Sequence, residues 1–202
     1  EEKIGEEFVT LSGKNSLEEL REMSAEEIFA IECKLNEELF KSGRGLMLVP
    51  NVDGYVLEKS VKEVWKEATM KDIPYMCGAV TDDLGAKPED VKTDKPGILL
   101  EECKRWASVR EKNGTPAYLY HFARRLPGDD WGAFHSSELW YTFGTLGRCW
   151  RPMTEHDYEL SEEMVTCWTN FMKAGNPNGD GQRLEENWES YTGEHPYVKL
   201  FK

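Results

Sequence analysis

"IPYMCGAV", residues 73–80, is an unbroken apolar run of strand length, and the polar, Gly/Pro-rich "TDDLGAKPEDVKTDKPG" follows it at once over 81–97. An apolar run without alternation reads as a strand covered on both faces, the condition of a strand within a parallel sheet. The next segment, "ILLEECKRWASVREKNG", keeps helical spacing and stops at Gly114. "PAYLYHFAR", 116–124, is then a second strand, and the loop "RLPGDDWGAFHSS" follows it. An aromatic segment, a helix over 157–174 ending at Gly175 and Pro177, and a last short strand "YVKLF" complete this part. Strand, helix, strand, helix is the order of an α/β protein with a mostly parallel sheet flanked by helices.

Upstream, "NSLEELREMSAEEIFAIECKLNEELF" carries two capping boxes, Ser16 with Glu19 and Ser24 with Glu27, which predict two short consecutive helices. "LMLVPNVDGYVL", 46–57, reads as an extended segment closed by a turn. Ser60 with Glu63 opens a further helix, "VKEVWKEAT". The sequence shows no internal repeat and no linker, so residues 1–202 are expected to form one partial domain.

The 202 residues are 39% hydrophobic and 31% charged, with seven Trp, eight Tyr and eight Phe, enough apolar area for a packed core. A net charge of −13 repels phosphate backbones, so nucleic-acid and anionic-membrane partners are not expected. No stretch reaches the length of a membrane span. The five cysteines (Cys33, Cys77, Cys103, Cys149, Cys167) are odd in number and lack a CxxC pair. They predict buried free thiols in a reducing compartment, hence a cytoplasmic location. Glu1 opens the chain without Met or a signal peptide, which suggests the interior of a longer protein.

Of the four histidines, His121 lies within a strand, His156 at a helix start and His195 in a polar turn, all structural settings. His135 differs, since "GAFHSSELWY" places it among small residues in a loop beyond a strand end. A histidine acting as general base needs a carboxylate on its other ring nitrogen. Asp82 and Asp83, just past the end of "IPYMCGAV", are the best placed. Acid and then histidine at successive strand ends is the chain order of an α/β-hydrolase triad, in which a serine precedes both. No GxSxG occurs in the 202 residues. "NPNGDGQRLEEN" begins like a calcium loop, but Asn187 stands where a bidentate Glu is needed, and no Cys/His spacing suits a metal. Neither a metal nor a cofactor is expected.

"GAFHSSELWYTFGTL", "WRPMTEHDYELSEEMVTCWTNFMKAGNPNGDG" and "ENWESYT" resemble the C-terminal portion of type-B carboxylesterases, the carboxylesterase, para-nitrobenzyl esterase and cholinesterase relatives. "SLEELREMSAEEIF", "VPNVDGYVL" and "DIPYMCGAVTDD" resemble earlier segments of the same family, so the likeness runs through nearly the whole chain. It implies the C-terminal part of an α/β-hydrolase fold and two-step hydrolysis of a small-molecule carboxylic ester. By position it gives His135 as the catalytic histidine and Asp83 as the acid. In the family the acid is more often Glu in "DEG"; here the sequence is "DDLG", and Asp82 is held in reserve. Phe134, Trp140 and Tyr141 would line the acyl or alcohol site. The serine elbow and oxyanion glycines would come from outside this chain, from a missing N-terminal half. The alternative is a non-catalytic relative, or an inert fragment, acting as a binding module on the same fold.

Overall fold

The computed structural model describes residues 2–45, 48–83, 97–179 and 187–202. Leu84 of "DDLG", most of the 81–97 loop, the start of the 46–57 segment, and Asp180 and Gly181 of the calcium-like stretch lie outside them. The described chain falls into two compact units, Glu1–Val61 and Lys62–Lys202.

The first unit is helical: α1 (Glu2–Ser12), α2 (Leu17–Arg21) and α3 (Ala25–Lys41). Ser24 and Glu27 form the expected capping box at the start of α3. Ser16 also accepts from the Glu19 amide, but the Glu19 carboxylate turns to the Asn15 amide, 2.9 Å away, so that box is half formed. Leu35 and Leu39, one turn apart on α3, are buried against Ile4, Phe8 and Leu11 of α1. Cys33 lies off that stripe and is exposed. Among the described residues of 46–57 no strand forms. Instead Asp53 Oδ1 accepts from the amides of Tyr55, Val56 and Leu57 at 2.9, 2.9 and 3.0 Å, folding the chain into a turn.

The second unit holds α4 (Val61–Glu67, all but its first residue), β1 (Met76–Val80), α5 (Ile98–Asn113), β2 (Tyr118–Phe122), α6 (Leu139–Thr142), a 3-10 turn at Leu146–Arg148, α7 (Glu155–Ala174) and β3 (Lys199–Phe201). The strands form one parallel sheet in the order β1-β2-β3. β1 begins after Pro74, which has no amide to give a ladder. Period-two alternation along β2 divides the core. Tyr118, Tyr120 and Phe122 face a cluster with Leu160, Met164 and Cys167 of α7 and with buried Trp188. Leu119 faces the other way, against Ala107 of α5 and Tyr191. Helices therefore cover both faces, which is why "IPYMCGAV" shows no polar alternation. Gly78 is dictated by this packing, because a Cβ there would lie 2.2 Å from the Tyr120 carbonyl oxygen on the paired strand. The thiols are less buried than the sequence suggested: all five are free, but only Cys167 is fully enclosed.

Asp157, with no exposed side-chain surface, joins three elements. Arg124, just beyond β2, donates to it through Nε at 2.7 Å and an NH2 at 3.2 Å. The Tyr141 hydroxyl of α6 donates at 2.7 Å, and Thr154 donates through its amide and hydroxyl, each at 2.7 Å, capping α7. Burial alone would raise this carboxyl, but the donors, Arg124 foremost, hold it well below the usual carboxylate range. A depressed folded-state pKa gives stability that is present above the unfolded value, about 3.9, and lost as pH falls below it. Asp157→Asn is expected to cost about 3–5 kcal/mol at neutral pH, because Arg124 loses its buried counter-charge. It should also flatten the acid limb of the stability profile below about pH 4. Urea unfolding of both proteins across pH checks this, and an unchanged acid limb would reject it.

Candidate active site

Beyond β1 the chain makes one more parallel pairing, an isolated bridge between Asp82 and Phe134. The Asp82 amide donates to the Ala133 carbonyl at 2.9 Å, and Asp82 Oδ2 accepts from the Ala133 amide at 2.8 Å. Gly132 allows this grip, since it has φ +72° and a Cβ there would sit 2.0 Å from Asp82 Oδ2. The bridge sets the register of the residues beyond it. Asp83 and His135 are the residues next to the bridged pair on each chain, and neighbours in a parallel register project to the same side. His135 Nδ1 stands 2.6 Å from Asp83 Oδ1. A carboxylate can only accept, so Nδ1 carries the proton and Nε2 keeps its lone pair in the neutral ring. The Asp83 side chain is 10% exposed and that of His135 55%, leaving the far edge of the ring open.

Asp82 and Asp83 thus divide the work that the sequence left open between them. Asp82 holds the loop by its backbone and side chain, and Asp83 meets the histidine. Arg151 braces the same loop. It donates to the Pro127 carbonyl at 2.9 Å and to both Asp129 carboxylate oxygens at 2.8 and 2.7 Å, and its guanidinium lies over the Phe134 ring, 5.2 Å from the centroid. Directly after His135 the chain turns sharply: Ser136 adopts φ +68°, and the Ser137 amide donates to the Phe134 carbonyl at 2.9 Å.

The expected wall residues part company. Phe134 is half-buried beside the pair and meets Trp131 edge-on at 6.2 Å. Trp131 is 69% exposed and extends this apolar surface, although nothing in the sequence singles it out. Trp140 is half-buried and packs partly into the core. Tyr141 corrects the expectation. It has no exposed surface, packs on Phe122 at 5.1 Å and gives its hydroxyl to Asp157, so it is a core residue and not a wall. Glu138, three residues after His135 and also unassigned from sequence, is half-buried. Burial pushes its carboxyl up, the nearby Asp83 charge adds to this, and His135 opposes it.

The other histidines have structural partners. His121 Nε2 lies 2.9 Å from Thr81 Oγ1, His156 Nε2 2.9 Å from the Lys202 carbonyl, and His195 pairs with Glu189 at 2.9 Å. Asn178 bonds the backbone of Trp188 through both its oxygen and its nitrogen, at 2.8 and 2.9 Å, so this part of the calcium-like stretch pins the core. Among the described residues no group of three His, Cys, Asp or Glu is placed to hold a metal, and no helix is long and apolar enough to cross a membrane.

Left-handed backbone at a residue with a Cβ costs on the order of 1 kcal/mol, which glycine avoids. Ser136→Gly is expected to raise the thermal midpoint slightly, whereas Gly132→Ala should lower it and loosen the Asp82 grip. Calorimetry of both variants tests this, and the opposite order would refute it.

Residues 99–201 match the family model described as the carboxylesterase family. Over 91 residues the chain is 34% identical to bile salt-activated lipase of Homo sapiens, covering 44% of this chain and 12% of that protein. Carboxylesterase 5A of Felis catus is 32% identical over 122 residues, 55% of this chain and 21% of that one. Two solved structures share the fold over 98% of this chain: a thermophilic PNB esterase (TM-score 0.73, 20% identity, 49% of its length) and a carboxylesterase of Geobacillus stearothermophilus (TM-score 0.67, 22% identity, 50% of its length). The chain spans no more than half the length of these relatives. By the match over β2, α7, β3 and the loop bearing His135, the chain belongs to the carboxylesterase family.

Proposed function

We propose that this chain furnishes the acid and the base of a serine carboxylesterase site, Asp83 orienting His135 and His135 relaying the proton. The observation that carries this is the 2.6 Å contact between a nearly buried carboxylate just past the end of β1 and the Nδ1 of a half-exposed histidine in the loop that follows β2. Open parallel sheets place their sites there. The serine and the oxyanion donors would come from a segment outside these 202 residues, which contain no GxSxG.

In this reading Nε2 takes the serine proton as the serine oxygen attacks the ester carbonyl carbon, and the carbonyl electrons move onto its oxygen. Collapse of that intermediate breaks the bond to the alkoxy group, which leaves as alcohol with the proton from Nε2. Water then repeats the sequence on the acyl-enzyme and releases the acid. Asp83 stays ionised and stabilises the imidazolium formed at each step. Phe134, Trp131 and the exposed part of Trp140 offer apolar surface to an acyl or alcohol group, which suits a small-molecule carboxylic ester.

Hydrolysis of p-nitrophenyl acetate and butyrate by this chain, reassembled with a segment bearing the family's serine elbow, provides the test. Asp83→Asn should lower kcat by roughly 10⁴ and His135→Ala by on the order of 10⁶. Asp82→Asn should chiefly lower the thermal midpoint, because its carboxylate holds the Ala133 amide and not the ring. Activity that survives His135→Ala, or silence from an assembly that demonstrably forms, would overturn the proposal.

A further inference from the structure

The proposed ester hydrolysis uses none of the five cysteines, yet two of them meet. Leu100, Cys103, Ala107 and Arg110 form the inward stripe of α5, and Cys103 thereby sits over β1. Its thiol donates to the Gly78 carbonyl at 3.8 Å, next along the strand from Cys77. Cys77 and Cys103 both pack against the cluster that holds Ala107, Leu119 and Tyr191, and both are half-buried. We infer that Cys77 and Cys103 are an oxidation site: a dithiol that hydrogen peroxide, or another two-electron hydroperoxide oxidant, converts to a disulfide joining α5 to β1.

Their contact lets one thiol donate to the other as thiolate, so one member of the pair, here Cys103, attacks and its neighbour resolves. The Cys103 sulfur attacks one peroxide oxygen, the O–O bond breaks, and a sulfenic acid and hydroxide form. The Cys77 sulfur then displaces the sulfenic oxygen, which takes the Cys77 thiol proton and leaves as water, and the proton that Cys103 released on ionising neutralises the hydroxide. In sum, two thiols are oxidised to one disulfide and one peroxide is reduced to two waters. The other cysteines are not placed for this. Cys33 is exposed on α3, Cys149 follows the 3-10 turn, and Cys167 is enclosed within the opposite face of the sheet.

The reduced chain, dilute and treated with a small excess of hydrogen peroxide, tests the assignment by free-thiol titration and peptide mapping under non-reducing conditions. The titre should fall from five by two, a peptide linking Cys77 to Cys103 should appear, and dithiothreitol should reverse both. The oxidised form should melt at a higher temperature, since the cross-link closes a loop in the unfolded chain. In Cys77→Ala, Cys103 should stop at the sulfenic acid and be trapped by dimedone. In Cys103→Ala no intramolecular link should form. A full titre after peroxide, a link between any other pair in its place, or an unaltered loss of two thiols in Cys103→Ala would overturn the inference. The wild-type peptide map decides the matter even if a variant folds poorly.

Discussion

The buried carboxylate of Asp157 is the constraint on which the site-bearing unit depends. A carboxylate without exposed surface must be fully paired, and its donors come from the end of β2, from α6 and from the first turn of α7. Arg124 and Tyr141 bracket the loop that carries His135, so both ends of that loop are tied to one point. The loop needs no regular structure of its own to be placed. Arg151 and Asp129 add a second tie near its middle, with the Phe134 ring pressed beneath the guanidinium.

Within that frame a single bridge sets the geometry of the acid and the histidine. Asp82 pairs with the loop as though β1 continued for two more residues, and the next register position on each side holds Asp83 and His135. The cost is visible in two backbone positions with positive φ, Gly132 before the histidine and Ser136 after it. Glycine removes the strain at the first. At the second a residue with a Cβ bears it, held by the Phe134–Ser137 turn.

Much of this was legible in the sequence. The apolar run of β1, the helical spacing of α5 and the capping signals of α3 give their elements directly, because burial and capping leave periodic or fixed-offset marks. His135 stood out by its small neighbours. The choice between Asp82 and Asp83 did not, because adjacent acids at a strand end differ only in register, which a partner strand decides. Tyr141 misled for a related reason. An aromatic in an apolar string gives no sign that its hydroxyl will reach a carboxylate sixteen residues on. The cysteine pair left no spacing signal, since Cys77 and Cys103 meet across a helix and a strand. Arg151 and Asp129 likewise find each other across the loop.

The pairing of Asp83 with the Nδ1 side of the ring is tested most directly by nitrogen-15 NMR of the His135 imidazole in this chain, above the pH at which the ring loses its charge. The account predicts the Nδ1–H tautomer, with Nε2 unprotonated and the Nδ1 proton shifted downfield by its bond to Asp83, a shift that Asp83→Asn diminishes and Asp82→Asn leaves in place. A ring protonated at Nε2, or one indifferent to Asp83→Asn, would contradict it.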